Sequence, residues 1–261
     1  VGYQLPIFAA SGAAVLAALG VIVFLRESRA KADPAAPRPA FLSGIQFART
    51  DEVVSRVLVV SLIYLAGFSA MEAAFGLWAE HRYAWGAREV GLSFMIVGVI
   101  SVLNQGFLAG RLARRFGEAR VLAAGMLLFG SSLVLQVLAP VAWFPATRLE
   151  LGGLSLPVVQ GWVIPLVMAV GACGMSLAMP NISAMISRAS PPDRQGAMLG
   201  LNMASSSVAR IFGPMVAGGL FSGLGHDWPF LIGALLTVPA AVMALNAGRV
   251  IRKVDDGVKA P

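Results

Sequence analysis

Seven apolar runs are set off from one another by polar gaps, at Pro6–Leu25, Val57–Ala79, Val90–Ala109, Val121–Ala139, Val163–Ile186, Ala197–Phe221 and Pro229–Ala247. Each is close to the ~20 residues that carry an α-helix across the ~30 Å hydrocarbon core of a bilayer. Five of the runs contain no Asp, Glu, Lys or Arg, while the second holds Glu72 and the sixth Arg210. The pattern predicts an all-α membrane protein with seven transmembrane helices.

The gaps predict an orientation. Lys and Arg number six in Arg26–Arg56, four in Arg111–Arg120, two in Arg188–Arg194 and four from Arg249 onward. The alternate gaps hold only Arg82, Arg88 and Arg148, so the count is 16 against 3 with Arg210 set aside. The basic side of a membrane protein is the cytoplasmic side. The N-terminus is therefore expected outside and the C-terminus in the cytoplasm. Trp78, Trp85, Trp143, Trp162 and Trp228 all fall at the opposite ends of the runs, where indoles are expected to anchor in the interface.

Composition agrees with a membrane protein and excludes much else. The chain is 57% hydrophobic and 13% charged, about half the charged fraction of a soluble domain. The net charge of +7 does not argue for nucleic acid, because the basic residues sit between apolar runs. The single cysteine, Cys173, rules out an intramolecular disulfide or a cysteine metal cluster, and His81 and His226 lie far apart in sequence. Neither a metal nor a cofactor is expected. The chain begins at Val1 and enters the first run without the basic start of a signal peptide, so that run is expected to span and the chain to be a fragment.

The Pro- and Ala-rich stretch Ala30–Phe41 opens the longest basic gap and reads as a linker. The expected layout is a transmembrane helix at 1–25, a cytoplasmic linker at 26–56, six spans at 57–247 and a cytoplasmic tail at 248–261. One span ahead of a linker and six after it suggest two six-helix halves, the first mostly missing.

The motifs carry a resemblance. Gly110-Arg111-Leu112-Ala113-Arg114-Arg115-Phe116-Gly117 resembles the G-x-L-A-D-R-x-G-R-K loop motif of the major facilitator superfamily, in its second-half copy. Gly110, Leu112, Ala113, Arg115 and Gly117 match, and Arg114 replaces the acidic position. Glu80-His81-Arg82-Tyr83-Ala84-Trp85 followed by Val90-Gly91-Leu92-Ser93 is similar to the E-D-R-F-x-W…I-G-L-S pattern of the tetracycline-efflux branch of drug:proton antiporters, with His81 at its Asp position. Gln105, Gly174-Met175, Ala184-Met185-Ile186-Ser187-Arg188, Arg194-Gln195-Gly196 and Gly213-Pro214 follow in the family's order.

The resemblance covers nearly the whole chain, as helices six to twelve of twelve. It implies the last helix of the N-terminal half plus the six-helix C-terminal bundle of a secondary transporter. Proton-coupled efflux of amphipathic drug-like molecules by alternating access is what it favours, in the bacterial inner membrane. Proton-coupled uptake, or a metabolite permease of the same superfamily, is the alternative. The partners it implies are the substrate, protons, the bilayer and the missing half. The outer loop Pro140–Trp162 is longer than in those carriers.

Mid-membrane polar residues point to transport without any analogy, because such groups are costly against lipid. Asn104, Gln105, Pro180, Asn181 and Asn202 are the candidate substrate-cavity residues. Asn104 or Gln105 serves equally to bond a neighbour's backbone, and Asn181 to satisfy the carbonyl that Pro180 frees. Gly110, Arg111, Arg114, Arg115 and Gly117 form the loop motif, with topology and headgroup contact as the plainer reading of its arginines. Gly106–Gly110, Gly196–Gly200 and Gly219–Gly223 have GxxxG spacing and predict close helix packing. Glu72 and Arg210 are the candidate proton-coupling residues, because intramembrane charge is usually kept for function. A static ion pair between them is the structural alternative.

An enzyme is not expected: there is no G-x-S-x-G, no H-E-x-x-H and no intramembrane histidine. A seven-helix photoreceptor would need a lysine in the last span, and Lys31, Lys253 and Lys259 lie elsewhere. A non-transporting membrane protein would have no use for Glu72 and Arg210.

Overall fold

The computed structural model describes residues 4–24, 41–139, 147–151, 154–158 and 161–258. It divides into two units, Val1–Pro39 and Ala40–Pro261. The first contributes α1 (Gln4–Phe24). The second runs α2 (Phe41–Thr50), α3 (Glu52–Tyr83), α4 (Ala87–Asn104), a π-helical turn (Gln105–Ala109), α5 (Gly110–Phe116), α6 (Glu118–Leu138), β1 (Thr147–Leu151), β2 (Leu154–Val158), α7 (Ile164–Ala189), α8 (Gln195–Gly223) and α9 (Trp228–Val258).

The helices begin and end where local chemistry dictates. The Asp51 carboxylate accepts from the amides of Val53 at 3.0 Å and Val54 at 2.8 Å, capping α3. Thus α3 starts at Glu52, inside the stretch expected to be linker, and α2 occupies another part of it. At its far end α3 stops on Ala84, in the left-handed region at φ 54°. Gly117 turns the chain between α5 and α6 at φ 86°, a conformation glycine adopts without strain. The helix of α9 continues to Val258, into the stretch expected as a tail.

Among the described residues, five helical stretches are long and apolar enough to cross a membrane: Glu52–Tyr83, Ala87–Phe116, Glu118–Leu138, Ile164–Ala189 and Trp228–Lys253. These support the membrane-spanning class without confirming the count of seven. The helix α8 has 29 residues but carries Asn202, Ser205, Ser206, Ser207 and Arg210, which dilute its apolar content. The first unit's α1 is apolar along its 21 residues. The class is all-α, with one addition in the predicted outer loop, the antiparallel hairpin β1–β2 pairing Thr147 with Val158 and Leu151 with Leu154.

Within the second unit α3, α6, α7 and α9 form the core, with α8 against α3 and α4 against α7. Tyr64, Phe75, Trp78, Leu122, Met126, Leu133, Ile164, Ile182 and Phe230 are fully buried there. Glycines set close approaches between helices. Gly125 of α6 and Gly174 of α7 face each other so tightly that a Cβ on Gly174 would stand 2.4 Å from the Gly125 carbonyl oxygen. Gly213 of α8 sits on α3, where a Cβ would lie 2.9 Å from the Ser69 Cβ. By contrast Gly106, Gly196, Gly200, Gly219 and Gly223 have no neighbour within 4 Å, and Gly110 meets only Arg114 of its own helix. The GxxxG expectation is therefore corrected within the second unit: among its described residues those six glycines pack against no other helix, because these faces are exposed.

The two ends of the bundle differ. At one end Trp78, Tyr83, Trp85 and Phe230 stack, with ring centroids 4.9 Å apart for Trp78–Phe230 and 5.5 Å for Tyr83–Trp85. At the other end lie Arg120, Arg188, Arg249 and Arg252. Trp78 is not the interface anchor expected of it. It is 1% exposed, and its indole N–H donates to the Asp227 carboxylate at 2.7 Å. Trp85 is buried too, Trp162 and Trp228 are partly exposed, and Trp143 lies outside the described residues.

Candidate functional site

A cavity of about 200 Å³ opens between α3, α4, α6 and α7. From α3 come Phe68, Met71 and Glu72, and from α4 Phe94, Val97, Gly98 and Ser101. From α6 come Phe129, Ser132 and Gln136, and from α7 Met168, Gly171, Ala172 and Met175. The floor is polar. The Ser132 hydroxyl donates to the Val167 carbonyl at 2.9 Å, and the Gln136 amide nitrogen donates to the Ser132 carbonyl and hydroxyl, both at 3.3 Å. The other end of that amide, Gln136 Oε1, is buried with no hydrogen-bond partner. Gly171 makes room for this group, since a Cβ there would stand 2.6 Å from the Ser132 hydroxyl. The walls are aromatic and thioether, surfaces that repack around varied apolar ligands.

Glu72 is exposed and lines this cavity. Arg210 is exposed on α8. They form no ion pair or hydrogen bond with each other. The contact between Gly213 and Ser69 explains the separation. The starts of α3 and α8 share one end, because Gly44 of α2 meets Met198 near the start of α8. Glu72 lies one turn beyond Ser69, and Arg210 one turn before Gly213. Six residues at 1.5 Å place them about 9 Å apart along the helix axes. Counting from the ends of the runs puts the two at equal depth; the glycine contact fixes a different register.

The other predicted cavity residues do not converge here. Asn104 is 5% exposed, and its amide donates to the Cys173 carbonyl at 2.9 Å and the Ser176 hydroxyl at 2.5 Å, tying α4 to α7. Asn181 is buried, and its amide donates to the Leu177 carbonyl at 2.7 Å within α7, one residue along from the carbonyl that Pro180 frees. Pro180 itself is exposed. Gln105 is exposed in the π turn. Asn202 is half-buried with its Oδ1 unpartnered. The loop motif lies away from the cavity. Arg111 donates to the Phe107 carbonyl, Arg115 stacks over Phe116 at 5.3 Å, and Gly110 is ordinary helix.

The sequence reading missed Gln136 and Ser132, although these are polar positions in an otherwise apolar run and carry the signal that singled out Asn104. It also kept the two histidines apart, whereas His81 and His226 stack face to face with centroids 3.7 Å apart. Among the described residues no group of three metal-ligating side chains forms.

Residues 106–259 match the family model of the Major Facilitator Superfamily. Relatives share modest identity over most of the chain. The class C tetracycline resistance protein of Escherichia coli is 27% identical over 86% of this chain and 54% of its own length. Multidrug resistance protein 2 of Bacillus subtilis is 25% identical over 91% of this chain and 55% of its own. The class G tetracycline resistance protein of Vibrio anguillarum is 29% identical over 63% of this chain and 37% of its own. The chain spans about half the length of the curated relatives it matches.

Proposed function

The chain belongs to the Major Facilitator Superfamily, and from that premise we propose that it is the C-terminal part of a secondary active transporter that exports amphipathic drug-like molecules. The observation that carries the reading is the cavity at Glu72, with aromatic and methionine walls, a carboxylate on its lining and an unpartnered acceptor at Gln136. The kinship to tetracycline and multidrug resistance proteins supports efflux as the direction. The missing partner is an N-terminal half, and the cavity then faces it in a bacterial inner membrane, with the basic end cytoplasmic.

Glu72 is the proton carrier in this reading. A carboxylate gains or loses a proton as its surroundings change, whereas a guanidinium keeps its charge. A nearby Arg210 holds the carboxylate charged, and its withdrawal lets a proton on. A shift of α8 along α3 by about two turns, roughly 9 Å, is required to bring the two level. Antiport requires that substrate and proton exclude one another, so in this reading substrate loads with Arg210 close and Glu72 charged, and the proton is taken up after the substrate has left and the two have separated.

The test is drug susceptibility of an efflux-deficient bacterium expressing the full-length transporter, this chain with its N-terminal half, and the same transporter carrying Glu72→Gln. The expected result is raised resistance to some amphipathic compounds, lost in Glu72→Gln although that variant inserts and binds substrate normally. Uphill transport by Glu72→Gln equal to wild type would reject Glu72 as the proton site. No shift for any compound would redirect the reading to an uptake or metabolite permease.

A further inference from the structure

A second hollow in the second unit is more polar than the Glu72 cavity. It measures about 420 Å³ and lies at the basic end, between the α5–α6 turn, the end of α7 and the end of α9. Four arginines from three helices line it: Arg120 of α6, Arg188 of α7, and Arg249 and Arg252 of α9. Glu118 is the one carboxylate among the described lining residues, and both its oxygens are taken by the Arg188 guanidinium at 2.9 and 3.0 Å.

The convergence is enforced by packing. Gly248 lets α9 cross α6 so closely that a Cβ there would stand 2.1 Å from the Ala119 Cβ. That crossing brings Arg249 and Arg252 beside Arg120. Helix electrostatics account for Arg188, in the last turn of α7, where a cation is favoured. They do not account for Arg120, in the first turn of α6, where the helix dipole disfavours a cation. The four guanidinium groups are exposed, and among the described lining residues only Glu118 is set against them, so the hollow keeps an excess of positive charge that an anion would neutralise. The planar fork of Arg matches the paired oxygens of a phosphate group.

We propose that this hollow is a binding site for a phosphate-bearing anion, held by Arg120, Arg249 and Arg252 with the Arg188–Glu118 pair as its back wall. The site lies at an end of membrane-crossing helices, the depth at which lipid headgroups carry such a group. It does not depend on the transport reading, only on residence in a membrane.

Native mass spectrometry of the detergent-purified protein tests it, with phosphatidylglycerol, phosphatidylethanolamine and inorganic phosphate as separate probes. Wild type is expected to retain phosphatidylglycerol over phosphatidylethanolamine. Arg120→Gln with Arg252→Gln should weaken that retention by roughly ten-fold for each guanidinium removed. Arg120→Lys with Arg252→Lys keeps the charge and the fold, and is expected to weaken retention less, through loss of the forked contacts. Inorganic phosphate that displaces the lipid at millimolar concentration identifies a soluble phosphate as the occupant of the same site. Equal retention of both lipids by wild type, or undiminished phosphatidylglycerol on a monodisperse Gln double variant, would overturn the proposal.

Discussion

Arg82 holds three helices together at the aromatic end. Its guanidinium donates to the carbonyls of Val137 at 2.8 Å and Ala139 at 3.1 Å, reaches Asp227 at 3.4 Å, and lies 5.6 Å from the Trp78 ring. The carbonyls close α6, Asp227 opens α9, and Arg82 itself ends α3. Removing the side chain leaves two carbonyls and a carboxylate short of donors, at a cost of about 2 kcal/mol. Arg82→Ala is therefore expected to lower the thermal midpoint in detergent, while Arg82→Lys, a single point donor, recovers only part of it. A midpoint unchanged in Arg82→Ala would show that this knot is held by Trp78 and Asp227 alone. Arg82 was visible in the sequence as part of a family-like motif; that it grips two carbonyls 55 and 57 residues away was not, because nothing local encodes where α6 ends.

At the scale of elements, glycine placement decides which helices act as one body. Gly125 and Gly174 bring the backbones of α6 and α7 together, and both clashes a Cβ would create are with backbone atoms that cannot swing aside. Gly174→Ala is expected to destabilise by about 1–3 kcal/mol through overpacking. Gly218→Ala, with nothing within 4 Å, is expected to be neutral or slightly stabilising. Thermal unfolding of the two variants side by side separates them, and equal effects would contradict the packing. The sequence made the helices legible, since length and apolarity alone define them. It did not make the interfaces legible: GxxxG spacing marks glycines on one face but not whether a neighbour covers that face. Here the closest contacts use glycines outside the predicted pairs, and the spaced pairs look outward.

For the whole molecule the chemical asymmetry of the two ends sets the orientation to be tested. A cysteine at Ser155, in the hairpin, is expected to react with an impermeant thiol reagent added outside intact cells, and one at Arg115 to stay shielded, with Cys173 replaced in both. Labelling at Arg115 from outside would reverse the orientation. The exposed apolar side chains on α4 (Leu92, Met95, Val99, Val102) and α8 (Ile211, Phe212, Met215, Val216) are surfaces for lipid or for the other half of a transporter. The Glu72 cavity was only partly legible from sequence for the same reason. Its charged member announces itself in an apolar run, whereas Gln136 becomes significant only once α3, α4, α6 and α7 close around it.

The π turn at Gln105–Ala109 bears on how this segment tolerates change in length. Such a turn accommodates one residue more than regular α-helix, without breaking the rod that runs from Ala87 to Phe116. Losing one residue there should convert the turn to ordinary helix and leave the bearing of everything downstream nearly unchanged, because the wide turn and the ordinary one each carry the chain through about one revolution. Deleting Gly106 is expected to preserve insertion, the Asn104 tie to α7 and the bearing of Arg111, Arg114 and Arg115, readable as an unchanged pattern of cysteine cross-linking from Arg115 before and after the deletion. A rotated cross-linking pattern would mean that the wide turn persists and passes the slip downstream. A gap of a single position between kindred sequences at this point is thus taken up within one turn, leaving the basic end where it was.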